Sequence, residues 1–189
     1  MKKLLCALLA WAALAAHGTE FDYRLTPKAV APDVYVFVGK TEDFDTVNGG
    51  NIVNTGFIVG PEGVVVIDTG PSRHYGQQMR EAIRQVTDKP VALVINTHHH
   101  PDHFLGNQAF ADGPIAALAD VQQGIASDGN AFAENLFRMS GDWMKGTEVV
   151  VPTRVLQAGP LTVAGRPLRV LPLEDHTAAD LAVQEDSSY

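Results

Sequence analysis

The stretch Ile95-Asn96-Thr97-His98-His99-His100-Pro101-Asp102-His103 places four imidazoles in one short loop of a chain with only 7 histidines. It continues Val91-Ala92-Leu93-Val94-Ile95, an apolar, β-branched run that reads as a buried strand. The cluster therefore sits at a strand end, where ligand-binding and catalytic groups of layered α/β folds gather. On an extended segment His98 and His100 emerge on one face and His99 on the other. Two imidazoles make half of a tetrahedral zinc site. Pro101 interrupts a regular helix or ladder, so the chain turns and delivers Asp102 and His103 beside the pair. There a carboxylate and an imidazole can hold a second cation or orient a water molecule. Chance alone yields H-x-H-x-D-H in roughly one chain in a thousand of this composition.

Working towards the N-terminus, the pattern is β, β, β, α, β. Val34–Val38 and Ile52–Val59 read as strands, separated by a polar loop, Thr41–Asn51, that contains Asn48-Gly49-Gly50. Gly60-Pro61-Glu62-Gly63 turns the second strand into Val64–Asp68, a hairpin whose unbroken apolar run predicts burial on both faces. Ser72 can cap a helix carrying Tyr75, Met79, Ile83 and Val86 at helical spacing, and Lys89-Pro90 ends it. Beyond the histidines, Ala116–Ala126 and Ala131–Met139 read as two helices. Their aromatic and methionine side chains, with Trp143 and Met144, serve either as core or as an apolar flap over the site. Val149–Val151, Leu161–Val163, Arg166–Leu173 and Leu181–Gln184 read as short strands.

The extreme N-terminus has a different character. Lys2 and Lys3 precede an apolar run from Leu4 to Ala16 with small residues at its end, the pattern of a secretory signal peptide, residues 1–16. The run is too short to span a membrane. Export implies a periplasmic or secreted protein. Cys6, the chain's 1 cysteine, lies inside that segment. A mature domain spanning residues 17–189 then has no thiolate, so any metal must be held by His and carboxylate. With a formal charge of −8 before removal of two lysines, the domain suits neither nucleic acid nor an anionic membrane surface.

A hydrolytic zinc needs three protein ligands and an open position. The cluster supplies two, and His176, in a polar turn after a strand, is the strongest candidate for the third. His74 at a helix start and His17 near the cleavage site read as surface residues. Asp68, ending its strand before Thr69-Gly70, is placed to brace the histidine loop by hydrogen bonds. Thr177, beside His176, is assigned with it to the residues that orient the ligands.

The order VVVIDTGPS, helix and strand, THHHPDH, GNQAF and DHTAAD resembles the metallo-β-lactamase superfamily over nearly the whole mature chain. The resemblance implies an α/β (α+β) fold, an αββα sandwich of which this chain carries the first half and the start of the second. It also implies a first zinc held by His98, His100 and His176, and a second zinc held in part by Asp102 and His103. Asp102 is then the catalytic residue that orients the nucleophile and passes a proton to the leaving group. The reaction implied is zinc-dependent hydrolysis of a small-molecule lactam, lactone, ester or thioester. NGGNIVNTGFIVG, SRHYG and MSGDWMKGTEVV look most like periplasmic hydrolases associated with quinoprotein or sulfur-oxidation systems.

Two departures from the family pattern bear on activity. Asp175 stands where many relatives have glycine. In the family, the strand after the third histidine leads to an acidic residue bridging the metals, and a later histidine completes the second site. Here the sequence passes through Leu181–Gln184 and reaches Tyr189 without either. The chain is therefore expected to be C-terminally incomplete, with one complete metal site, and to expose a sheet face and edge that favour self-association. A non-catalytic metal-binding remnant or partner protein is the alternative reading. A nickel or copper chaperone accounts for the cluster but not for the strand pattern or His176. His and Asp ligands suit iron as well as zinc.

Overall fold

A computed structural model of the protein describes residues 21–173, 176, 177 and 179–185. The signal-like segment 1–16, with Cys6, and His17 lie outside the described residues. Among the described residues no helix is long and apolar enough to cross a membrane.

Among the described residues ten strands form two sheets. Strands β1 (Lys28–Ala31), β2 (Val34–Phe37), β3 (Thr55–Val59) and β4 (Val64–Ile67) run antiparallel in sequence order. The β3–β4 hairpin closes at Val59 opposite Val64. Strand β4 then pairs in parallel with β5 (Val91–Ile95), and β6 (Ile115–Ala117) and β7 (Arg154–Val155) continue the sheet in parallel. The second sheet is antiparallel: β8 (Gly159–Val163), β9 (Arg166–Leu173) and β10 (Asp180–Glu185), with β9 in the middle.

Val64, Val65 and Val66 of β4 have no exposed surface, because the two sides of the strand face two different cores. On one side Val64 and Val66 meet Tyr75, Met79 and Ile83 of α1 (Arg73–Val86). Each of these buried side chains contributes about 1.5–3 kcal/mol by leaving water. Ser72 starts the helix, its Oγ accepting the Tyr75 N–H at 3.1 Å. On the other side Val65, Leu93 and Ile95 pack against Leu168, Val170 and Leu181 of the second sheet. A third cluster joins Phe104, Leu105 and Ala117 to Val121, Ile125 and Leu136 of α3 (Ala119–Ser140). The architecture is helices on a mixed sheet, with a second sheet packed face to face on the first.

Several expectations are corrected. The inner face of the first sheet is not exposed, since β8–β10 cover it with apolar side chains. The large exposed apolar residues, Val30, Val38, Val47, Phe137, Val155 and Leu173, come instead from scattered elements. The two helices expected over Ala116–Ala126 and Ala131–Met139 are one helix, and the start of the first belongs to β6. Ile115 and Ala116 pair with Val94 and Ile95, so sheet completion outweighs the helix preference of alanine. Asp128-Gly129-Asn130, which fall between the two expected helices, continue the helix. A Cβ on Gly129 would stand 2.9 Å from Val149 Cγ1, so this glycine permits close packing. Val149–Val151 forms no strand: Val150 packs towards α1 and its two neighbours towards α3, and pairing begins only at Arg154. The second strand starts at Thr55 rather than Ile52, and the edge strand β1, Lys-Ala-Val-Ala with three of its four residues exposed, lies outside the strands expected from the sequence.

Candidate metal centre

The histidine loop leaves β5 at Ile95 and ends in a single helical turn, α2 (Pro101–Phe104). The sequence reading that Pro101 blocks a helix is corrected. It occupies the first turn, where the missing N–H has no intrahelical partner to lose. Buried amides hold the loop from below. Asn107 accepts from the Thr69 hydroxyl at 2.9 Å and donates to Asn96 Oδ1 at 2.8 Å and to the Val150 carbonyl at 2.9 Å. The His103 carbonyl accepts the Thr69 N–H at 2.8 Å. Gly106 lies so close to the Thr69 carbonyl that a Cβ would sit 2.0 Å from it.

Asp68 ties this loop to β4. Its carboxylate accepts the Thr97 N–H at 2.8 Å, the Thr97 hydroxyl at 2.7 Å and His103 Nδ1 at 2.7 Å. Asp68 has φ +56°, a left-handed conformation that Asp tolerates better than most residues. These bonds fix protons. Because the Thr97 hydroxyl gives its hydrogen to Asp68, it accepts from His98 Nδ1 at 3.0 Å. His98 Nε2 then carries a lone pair, and that atom is buried with no hydrogen-bond partner. By the same logic His103 donates from Nδ1 to Asp68, and its Nε2 lies 3.9 Å from Asp102 Oδ2, beyond hydrogen-bond distance.

His176 arrives from the other sheet, in the turn between β9 and β10. Its Nε2 lies 3.0 Å from His100 Nδ1. Ligand nitrogens of His98, His100 and His176 all lie within 4.8 Å of one another, the group among the described residues with the spacing of a metal site. Two imidazole nitrogens of a tetrahedral zinc site stand about 3.3 Å apart, given bonds of about 2.0 Å. The converging lone pairs and the unsatisfied His98 Nε2 fit a divalent cation of this kind.

Asp102 and His103 fall outside that group but adjoin it, the His103 ring lying 3.9 Å from the His98 ring. His99 points away, as the alternation requires, towards α3. A Cβ on Gly124 would stand 2.9 Å from the His99 ring, and the Phe132 ring is 6.0 Å away. Phe132 also faces His100 edge-on at 6.4 Å. His74, in the first turn of α1, lies against Phe21 at 6.0 Å.

The site environment separates the histidines electrically. Burial, then the neighbouring His103, pushes His98 down to about 4. Burial and the nearby His176 likewise lower His100. Burial opposes protonation of His103 too, but Asp68, through charge and hydrogen bond, with Asp102 and Asp180, raises it. In metal-free protein, NMR titration of the imidazoles is therefore expected to show His98 neutral until the pH approaches about 4, while His103 gains its proton above its ordinary pKa. The two act oppositely on stability. The His98 contribution is complete above pH 6.5 and is lost as pH falls towards 4; the His103 contribution is present below 6.5 and is lost as pH rises through its folded-state pKa. A His98 resonance titrating at an ordinary value would contradict this picture.

Asp180 was not singled out from sequence. It is buried at the start of β10, and its Oδ2 accepts the N–H groups of His176 at 3.0 Å and Thr177 at 2.7 Å. Burial opposes its ionisation, but these N–H bonds and the Thr177 hydroxyl outweigh that and hold it below the usual carboxylate range. Thr177 Oγ1 also bonds the Ala179 carbonyl at 2.9 Å. The signal available was the Thr177-x-x-Asp180 spacing, common in polar turns and silent about a site.

The model of the metallo-beta-lactamase superfamily matches residues 48–181, from the loop before β3 to the start of β10. The chain belongs to the metallo-β-lactamase superfamily. A linear primary-alkylsulfatase from Pseudomonas sp. is 40% identical over 65 residues, 34% of this chain and 12% of that protein. Among solved structures, a metallo-beta-lactamase from Pontibacter korlensis superposes with a TM-score of 0.62 at 19% identity, covering 85% of this chain and 66% of the other. A stereoselective inverting sec-alkylsulfatase from Pseudomonas sp. superposes at 0.63 and 19% identity, covering 85% of this chain and 29% of the other. The superfamily chain described here thus has part of the metallo-β-lactamase fold and spans less than two thirds of the length of each of these proteins.

Proposed function

We propose that this chain is a metal-dependent hydrolase in which His98 Nε2, His100 Nδ1 and His176 Nε2 hold a zinc ion. The observation that carries the reading is the buried, unpartnered Nε2 of His98 at the meeting point of three imidazoles. When bound, such an ion supplies Lewis acidity and makes water a competent nucleophile near neutral pH. The chain's own groups do the rest. Asp68, through Thr97 and His103, fixes the tautomers and ring planes of the loop. Asp102, at the mouth of α2, accepts the proton of the attacking water and returns it to the leaving group. His103, with its raised pKa, offers a proton donor beside Asp102 or a further ligand in its neutral form.

The substrate we favour is a small molecule with a hydrolysable carbonyl: a lactam, lactone, ester or thioester. A sulfate ester is the second reading, favoured by the 65-residue likeness to the alkylsulfatase. The test is to strip the protein, add one equivalent of zinc, and assay a chromogenic cephalosporin, an aryl ester, a thioester and a linear alkyl sulfate. Zinc-dependent turnover of one of the first three is expected. Turnover of the alkyl sulfate alone would select the second reading. Zinc binding with no turnover would favour a non-catalytic metal-binding protein, and failure to bind zinc would remove the proposal.

A further inference from the structure

We infer that Asp180 is the positioning residue for the third ligand, acting through the shape of its hydrogen bonds and not through its charge; this rests on the reading of His176 as a ligand. His98 and His100 sit on a loop anchored to the first sheet, whereas His176 hangs from the second. Something must set the distance between the two sheets at this point. The side chain of Asp180 grips the His176 turn through two backbone N–H groups, at 3.0 and 2.7 Å, and the Thr177 hydroxyl at 3.1 Å. The next residue, Leu181, donates its N–H to the Thr97 carbonyl at 3.0 Å, immediately before His98. Adjacent residues of β10 thus hold one ligand by a side chain and the neighbour of another by the backbone. Leu181 is buried between the sheets, which keeps the start of β10 from shifting.

Asp180 is outside the group of converging ligand atoms, so its route to the metal runs through His176. The bonding pattern says that charge is dispensable. Asparagine can present Oδ1 to both backbone N–H groups, while its amide donates to Thr177 Oγ1. That hydroxyl is free to accept, because its own hydrogen can go to the Ala179 carbonyl at 2.9 Å. Alanine can do none of this.

The experiment compares zinc affinity of wild type, Asp180→Ala and Asp180→Asn by competition with a chromophoric chelator, with cobalt(II) visible absorption and metal-free melting as companions. Asp180→Ala is expected to bind zinc 10- to 100-fold more weakly, roughly the effect of losing an outer hydrogen-bond partner, and to lose the intense tetrahedral cobalt bands. Asp180→Asn is expected to stay within about fivefold of wild type and keep those bands. Undiminished affinity in Asp180→Ala would overturn the inference alone, leaving the three-histidine reading intact. An Asp180→Asn variant impaired as badly as Asp180→Ala would also overturn it, pointing to charge or direct ligation. Should Asp180→Ala fail to fold, Asp180→Asn decides: near wild-type affinity supports the role and a large loss overturns it. Absence of zinc binding in the wild type would overturn both readings.

Discussion

Replacing His98 with leucine is expected to abolish tight zinc binding while the metal-free fold survives. Of the three converging imidazoles, His98 is the most deeply buried, at 7% exposed, and its Nε2 has no partner in the protein. A buried polar atom left without a hydrogen bond costs about 1–3 kcal/mol in the folded state. Leucine of similar volume removes that cost and sacrifices only the contact between Nδ1 and Thr97 Oγ1, worth about 1 kcal/mol. The melting temperature of the metal-free variant should therefore move by no more than about 4 °C. Zinc affinity should fall on the order of a thousandfold or more, beyond what loss of an outer-sphere partner costs. Calorimetric titration and thermal melts check both halves. A variant that binds zinc like the wild type would show that the cation sits elsewhere.

Asp68→Ala should have the largest effect on stability. The substitution deprives the Thr97 N–H, the Thr97 hydroxyl and His103 Nδ1 of their shared acceptor, all at a carboxylate with 4% of its side chain exposed. It also puts alanine at φ +56°, a left-handed conformation that costs a residue without a short polar side chain about 1–2 kcal/mol. Together these give a loss of about 4 kcal/mol, or roughly 8–16 °C in melting temperature for a domain of this size. Asp68→Asn tolerates the same backbone conformation and retains one acceptor oxygen, so it should fall between alanine and wild type. Melting of metal-free proteins measures this order. An alanine variant as stable as wild type would mean that the histidine loop is held by the Asn96–Asn107 amides alone.

Much of this was legible because local chemistry and tertiary role coincide. The continuous valines of β4 announced a strand buried on both faces, and the two-residue spacing of His98 and His100 placed both on one side of an extended segment. Asp68 was identifiable because a carboxylate directly after a buried strand needs partners. The reading failed where packing decided the outcome. Ile115-Ala116-Ala117 is strand only because β5 offers an edge, and Gly129 lies within a helix because Val149 approaches it. Asp180 carried no sequence signal strong enough to separate it from other turn aspartates. Its role emerges only when β10 is seen to touch Thr97 on one sheet and His176 on the other. The expectation of a bare sheet face failed for a related reason: three short strands suffice to cover the centre of the first sheet.

The most direct test of the central claim is the nitrogen ligand count at one equivalent of zinc, measured by X-ray absorption on wild type and on the variants His98→Leu, His100→Leu and His176→Leu. Three imidazoles in the wild type, and loss of tight binding in each variant, are the results expected from the geometry of these residues. Wild-type binding through fewer imidazoles, or tight binding that survives removal of His176, would contradict a metal centre built across the two sheets.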